Sequence, residues 1–312
     1  MNYEDLSGWL VSRYALPCPC TCSLLRSYTN DVYEVRTNGQ RFVLKVYGAS
    51  WRTQSEIEYE VSLLQHLRAR GVRTAAPIAG RRGYVEPISF ACAARYAVLF
   101  EYAPGEKPQP PLKAELYVAF GRAVAQFHAC SIDFANEHQR TDLDLGQLIE
   151  VPLAQVLPLL ANPADHRFLS NIAARLYENV AGFASTGLEW GSIHGDATLD
   201  NLHVTEQGDV ILIDFDSGGP GWRASDLQGW AANNYTYRDR WHAFQKGYSS
   251  VRQMEQVNWV AAPYLTVAWD IWGLKVDLDN RIGQQGPSRV REYLSDRIAE
   301  IRIRCNQCRL CD

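Results

Sequence analysis

The sequence predicts an α+β chain of two lobes, a small antiparallel-strand lobe followed by a larger, mainly helical one. Three observations carry this. Between residues 24 and 102, Val, Tyr and Phe crowd into short runs divided by turn signals, as strands require. From residue 113 onward, apolar residues recur mostly at helical spacing. The 312 residues also exceed what one core comfortably serves. The run APGEKPQPPL at 103–112 holds four prolines and breaks regular structure, so the expected units are 1–103 and 104–312.

Each element follows from its residues. Residues 24–47 read as strands, with Asn38-Gly39 a strong hairpin turn signal between DVYEVRT and QRFVLKVYG. Residues 52–70 read as a helix, because Ile57, Val61, Leu64 and Leu67 share one face and Gly71 stops the run. YVEPISF and RYAVLFEY within 84–102 are further strands. Residues 113–130 and most of 145–185 are helical. LHVTEQGDVILIDF is a hairpin around Gly208, and 223–303 is mainly helical. No internal repeat or low-complexity stretch interrupts the pattern.

Composition narrows the function. Apolar residues at 46% and charged residues at 21% argue against disorder. No apolar run approaches the roughly 18 residues of a membrane span. The acidic N-terminus lacks the apolar core of a signal peptide, so a cytoplasmic location is expected. A net charge of -4 without a long basic run makes nucleic acid a poor partner. Residues 1–187 are balanced at 18 basic and 18 acidic, while 188–312 hold 13 and 17. The excess acid favours a cationic ligand or is simply a solvated surface. Cys18, Cys20 and Cys22, and Cys305, Cys308 and Cys311, form two tight clusters. Without a secretory signal these read as reduced thiols, with soft-metal binding left open.

The densest chemistry is HGDATLDN at 194–201 followed by ILIDFD at 211–216. If Val210 pairs with Thr205 across the turn, Ile213 faces Leu202 and Asp214 faces Asn201, with Cβ atoms about 4.5–5.5 Å apart. An amide oxygen and a carboxylate then converge at the open end of the hairpin. That is a hard-oxygen site suited to Mg²⁺, which keeps places for phosphate oxygens. Asp196, in the loop leading to the same end, can accept a proton from a hydroxyl. Singly, each Asp reads as a turn residue; together they read as metal-assisted phosphoryl transfer.

His194-Gly195-Asp196, Asn201 and Ile213-Asp214-Phe215-Asp216 resemble the signature of the aminoglycoside phosphotransferase and choline kinase-like family. That family has a protein-kinase-like fold, and the resemblance covers nearly the whole chain. It implies an ATP- and Mg²⁺-dependent phosphotransferase acting on a small-molecule hydroxyl, with a nucleotide-binding N-lobe and a catalytic, acceptor-binding C-lobe. Asp196 is then catalytic, Asn201 and Asp214 are metal ligands, and His194 is a hydrogen-bonding support. GPGWRASDLQGW resembles the following segment, in which Asp226 braces the catalytic loop.

The nucleotide lobe of such an enzyme needs a strand Lys on the phosphates and a helix Glu to orient it. Lys45 is the only Lys of the strand-rich lobe. Glu60 falls in the middle of the apolar stripe, whereas Glu58 points away and Glu56 sits at its edge. A charge there is costly unless paired, which makes Glu60 the expected partner. The phosphate-covering loop should lie at Ser27–Asp31, where RSYTND holds no glycine and Ser27 with backbone amides would contact phosphate. VLFEYAPG resembles the family's hinge, which implies adenine contacts from the backbone of Glu101 and Ala103 and a pocket wall at Phe100.

The acceptor is less defined. Six of nine Trp lie at or after residue 222. Singly each reads as core filling. Trp230, Trp269 and Asp270 are candidates for holding an amine by cation–π and ionic contact. Choline, amino alcohols, hydroxy amino acids and aminoglycosides all stay open, as do nucleotide preference and oligomeric state. Alternative readings are a Ser/Thr protein kinase of the stress-response type and a non-catalytic nucleotide-binding pseudokinase. Only eleven residues separate Asp214 from Asp226, too few for an activation segment, which disfavours the first. Retention of Lys45, Glu60, Asp196, Asn201 and Asp214 disfavours the second. A metal-dependent hydrolase would leave Lys45 and Glu60 unexplained.

Overall fold

Helix α1 (Tyr3–Tyr14) opens the chain, an element absent from the sequence reading. The computed structural model describes residues 3–90, 93–282 and 285–310. Leu6 and Leu10 of α1 are fully buried in a cluster with Tyr33, Val35, Leu44 and Val46. Each such Leu contributes roughly 1.5–3 kcal/mol by leaving water. Helix α1 therefore covers the outer face of a sheet that would otherwise expose an apolar surface.

Strands β1 (Cys20–Ser27), β2 (Asn30–Thr37) and β3 (Gln40–Tyr47) form an antiparallel meander, and Thr37 pairs with Gln40 around Asn38-Gly39. Helix α2 (Gln54–Ala69) crosses to the inner face. Its start is fixed by a capping box: the Thr53 hydroxyl accepts from Glu56 N–H, and the Glu56 carboxylate accepts from Thr53 N–H. Its end is a Schellman turn, with Gly71 N–H donating to Arg68 O and Val72 N–H to Leu67 O. Strands β4 (Pro77–Ile78), β5 (Glu86–Phe90) and β6 (Ala93–Glu101) complete the sheet, in the order β1-β2-β3-β6-β4 with β5 on β6. Residues 44–47 of β3 are buried throughout, as a strand covered on both faces must be. Leu44 and Val46 face α1, whereas Tyr47 packs in the main core with Ile57 and Leu64 of α2.

The rest is mainly helical: α3 (Ala114–Cys130), α4 (Val151–Val156) and α5 (Pro163–Ala184), then α6 (Gly229–Ala232), α7 (Arg238–Ser249), α8 (Gln256–Asp277) and α9 (Pro287–Gln307). Between α5 and α6 lie four short strands. β7 (Trp190–Ile193) pairs with β10 (Gly219–Trp222), and β8 (Leu202–Val204) pairs with β9 (Val210–Leu212). The proline-rich run after β6 docks on this hairpin, since Glu106 and Val204 exchange both backbone hydrogen bonds.

Among the described residues, no group of three or more His, Cys, Asp or Glu side chains is placed to hold a metal ion. Cys20 and Cys22 share one face of β1, and burial pushes both thiols up, Cys20 to about 11, so they stay protonated. Cys305 and Cys308 are buried at the end of α9. Cys92 and Cys311 lie outside the described residues. No helix among the described residues is long and apolar enough to cross a membrane.

Candidate active site

The β8–β9 hairpin carries the site, and its register corrects the expected one. Val210 pairs with Val204, not Thr205, and Ile213 N–H donates to Asn201 O, so Asn201 faces Ile213 rather than Asp214. The cause is the turn. Gly208 takes φ +82°, and Thr205 N–H bonds Asp209 O across a three-residue loop, one residue tighter than a four-residue connection. A one-residue slip should turn Asp214 to the wrong face. Asp214 instead leaves the strand in the left-handed region, φ 67° and ψ 66°, which returns its carboxylate to the site. That backbone is costly for a non-glycine residue and persists only where surrounding contacts enforce it.

Two cations meet the Asp214 carboxylate. Lys45 Nζ lies 2.7 Å from Asp214 Oδ1, and Arg26 Nη2 lies 2.5 Å from Oδ2. Burial would raise the Asp214 pKa, but Lys45 and Arg26 outweigh it and hold the carboxylate well below its usual range. Lys45 also meets Glu60 Oε1 at 3.1 Å, and Tyr47 OH donates to Glu60 Oε2 at 2.9 Å. Burial raises the Glu60 pKa. It also opposes the Lys45 charge, which Asp214 and Glu60 restore. The other two acids of α2 do different work. Glu56 caps the helix, and Glu58 accepts from Gln54 Nε2 at the surface.

Asp196 and Asn201 sit together. Asn201 Nδ2 donates to Asp196 Oδ2 at 2.6 Å and to Asp196 O at 3.1 Å. With its NH₂ group so used, the Asn201 amide oxygen is the atom left for a cation. That oxygen and the ionised Asp214 carboxylate are a hard donor pair of the kind Mg²⁺ takes when phosphate supplies further ligands. Burial, with the charges of Asp214 and Asp216, pushes the Asp196 pKa up, against the pull of the Asn201 hydrogen bond.

The loop that carries Asp196 is braced from below. Asp226 accepts from His194 N–H at 2.7 Å and Gly195 N–H at 2.9 Å, and His128 meets the same carboxylate at 3.1 Å. All three side chains, His128, His194 and Asp226, are buried. His194 Nδ1 accepts from Asp196 N–H, which leaves Nε2–H to donate to Ile213 O at 3.1 Å. Gly195 takes φ +76°, and a Cβ there would come within 2.4 Å of Ser217 O.

Two cavities meet at this cluster. One, of about 770 Å³, lies under the sheet and is lined by Lys45, Glu60, Phe100, Ala103, Asn201 and Asp214, with Val32, Val43 and Leu64 as apolar walls. The other, of about 370 Å³, is lined by Asp196, Asp214, Trp230, Trp269, Asp270 and Arg304, among others. Asp214 and Arg26 line both. Ser27 lines neither, and its hydroxyl is bonded to Asp31 at 2.6 Å. The Glu101 carboxylate turns away to Arg68, and its N–H donates to Ala76 O. The Ala103 carbonyl bonds the His203 ring. Of the six late tryptophans, Trp230, Trp269 and Trp272 line the smaller cavity; Trp241 and Trp259 are core.

The sequence reading passed over several residues that shape the site. Arg52 and Arg140 both donate to the Asp216 carbonyl. The Asp216 carboxylate accepts from Asn30 and Trp51, tying the sheet to the turn after Asp214. Arg26 faces Asp214 from 188 residues away in the chain. No local spacing signals such contacts.

Comparison with known proteins identifies the family and the fold. Residues 21–259 match the phosphotransferase enzyme family. A protein of uncharacterised function from Deinococcus radiodurans is 33% identical over 278 residues, covering 86% of this chain and 79% of that one. A homoserine kinase from Xanthobacter autotrophicus is 27% identical over 245 residues, 76% of this chain and 73% of its own. Among solved structures, a microcompartment-associated aminopropanol kinase superposes with a TM-score of 0.78 at 20% identity, covering 98% and 99% of the two chains. An amicoumacin kinase in complex with AMP-PNP and Ca²⁺ does so at 0.76 and 19% identity, covering 96% and 93%. The chain belongs to the phosphotransferase enzyme family, and its fold is protein-kinase-like.

Proposed function

We propose that the chain moves the γ-phosphoryl group of ATP to a hydroxyl of an amine-bearing small molecule. One observation carries this reading. The larger, apolar-walled cavity and the smaller one share Asp214 and Arg26 as walls, with Asp196 in the smaller, so a phosphate donor and a hydroxyl acceptor would meet there.

Adenine would lie against Phe100, with the Glu101 carbonyl and the Ala103 N–H at its edge, since the other backbone groups of that pair are already bonded within the protein. Lys45, oriented by Glu60, would hold the α- and β-phosphates. Asn201 and Asp214 would hold Mg²⁺, which when bound neutralises charge on the phosphate oxygens. Asp196 would accept the acceptor's hydroxyl proton as the new oxygen–phosphorus bond forms, while the bond from phosphorus to the bridging oxygen breaks and ADP leaves.

The acceptor reading rests on size and charge. A cavity of about 370 Å³ suits a small molecule. Its walls hold Asp196, Asp214, Asp216, Asp270 and Asp277 against Arg26 and Arg304, five acids to two bases, together with four tryptophans. An ammonium group is stabilised by both features. ATP as donor suits the cytoplasm.

The test is ADP release in the presence of amino alcohols, hydroxy amino acids, aminoglycosides and matched neutral alcohols. Stimulation by an amine-bearing hydroxyl compound, with phosphate recovered on its oxygen, is expected. Equal turnover with neutral alcohols removes the amine, and no stimulation by any acceptor removes the reaction.

A further inference from the structure

Strand β1 departs from regular pairing at one point. Leu24 pairs with Tyr33, but the next pair along is Arg26 with Val32, so Leu25 is an extra, bulged residue. A bulge re-aims the side chain that follows it. Here it sets Leu25 and Arg26, consecutive in sequence, on the same cavity. Without the bulge, alternation would turn one of them away.

We propose that Arg26 is a phosphate-positioning residue that occupies Asp214 in the nucleotide-free protein and passes to the terminal phosphate when a cation takes its place on that carboxylate. The inference rests on the phosphotransferase reading above. Both Asp214 oxygens are engaged by cations, so a metal ion arriving at that carboxylate meets two charges of its own sign and competes with them. Lys45 is the poor candidate for displacement: its side chain is 6% exposed and Glu60 holds it from the other side. Arg26 is the good one: its side chain is 48% exposed, and Asp214 is its one ion-pair partner among the described residues. Arg26 can swing toward solvent, and the arriving cation replaces its charge on the buried carboxylate. A planar guanidinium matches two phosphate oxygens at once, and the glycine-free turn after it makes that charge the natural substitute for a cradle of backbone amides. Its place on both cavities sets it where the phosphoryl group would cross.

The experiment is calorimetric titration of the full chain with AMP-PNP, over a series of Mg²⁺ concentrations and without metal, for the wild type, Arg26→Ala and Arg26→Lys. Arg36→Ala, on the neighbouring strand, controls for net charge. For Arg26→Ala, the Mg²⁺ concentration giving half-maximal binding should fall several-fold, because a competitor for Asp214 is gone. At saturating Mg²⁺, where Arg26 has left Asp214 for the phosphate, AMP-PNP affinity should fall about tenfold, the worth of a charge-assisted phosphate contact. Arg26→Lys should recover part of both changes, and Arg36→Ala should show neither. An unchanged or raised Mg²⁺ requirement overturns the proposal, as does unchanged affinity at saturating Mg²⁺. A wild type that binds no nucleotide overturns the phosphotransferase reading along with it, whereas a wild type that binds normally with an indifferent Arg26→Ala overturns this proposal alone.

Discussion

The two cavities that meet at Asp214 are built on opposite plans. In the larger one the charges come in pairs: Lys45 on Glu60, Lys45 and Arg26 on Asp214. Its walls come from the sheet strands β1, β2, β3 and β6 on one side and from α2, the proline-rich run and the β8–β9 hairpin on the others. The smaller one has an excess of acid and four indole rings, and it is assembled from the first strand turn, the loop that carries Asp196, α6, α8 and α9. Helix α9 lies beyond the residues that match the family. Under the proposed function, the first plan serves a polyphosphate met by Lys45 and Arg26, and the second, with acid in excess and aromatic walls, serves an ammonium compound.

The comparison breaks first at Asp196. Asp196→Asn keeps shape and removes charge, and turnover should fall by about 10²–10⁴, the usual worth of a positioned base. Nucleotide affinity should stay within a few-fold, because Lys45 and Asp214 hold that side. A variant with near-normal turnover on the true acceptor ends the mechanism proposed here. Asp214→Asn should differ in kind, losing Mg²⁺-dependent nucleotide binding as well as turnover. Nucleotide titration with and without metal separates the two, and equal wild-type affinity in both conditions removes the metal role of Asp214.

Lys45 and Glu60 sharpen the picture of the paired cavity. If they act as one unit, Lys45→Ala with Glu60→Ala should lose much less turnover than the sum of the single losses. Additive losses would show that Glu60 supports the helix rather than the lysine.

Trp230 probes the other cavity. Trp230→Leu should raise KM for an amine-bearing acceptor by roughly 2–30-fold, the range that cation–π contacts cover, with nucleotide KM unchanged. A matched rise for a neutral alcohol would assign Trp230 to packing alone.

The smallest effect is on pH. Asp196 works ionised, so activity is full above its pKa and lost as pH falls through it. Burial raises that pKa, so the acid limb of kcat should fall above the ordinary aspartate value of about 3.9. A limb at or below that value would assign the titration to another group.

The sequence by itself determined what depends on near neighbours. Helical spacing separates Glu60 from Glu56 and Glu58, Thr53 and Glu56 start α2, and Asn38-Gly39 turns β2 into β3. The Asp196, Asn201 and Asp214 cluster is legible because those residues sit within one loop and hairpin. Tertiary structure decided the rest. It set the hairpin register one residue from the expected one, because a left-handed Gly208 closes a tighter turn than a count of intervening residues implies. It returned Asp214 to the site through a left-handed backbone conformation, with Lys45 and Arg26 on its carboxylate. It also chose which tryptophans line a cavity and which fill a core, and it brought Arg304 of α9 to Asp270 of α8. An indole buries similar area in either place, and an ion pair between distant segments leaves no periodicity, so only the packed chain separates these outcomes.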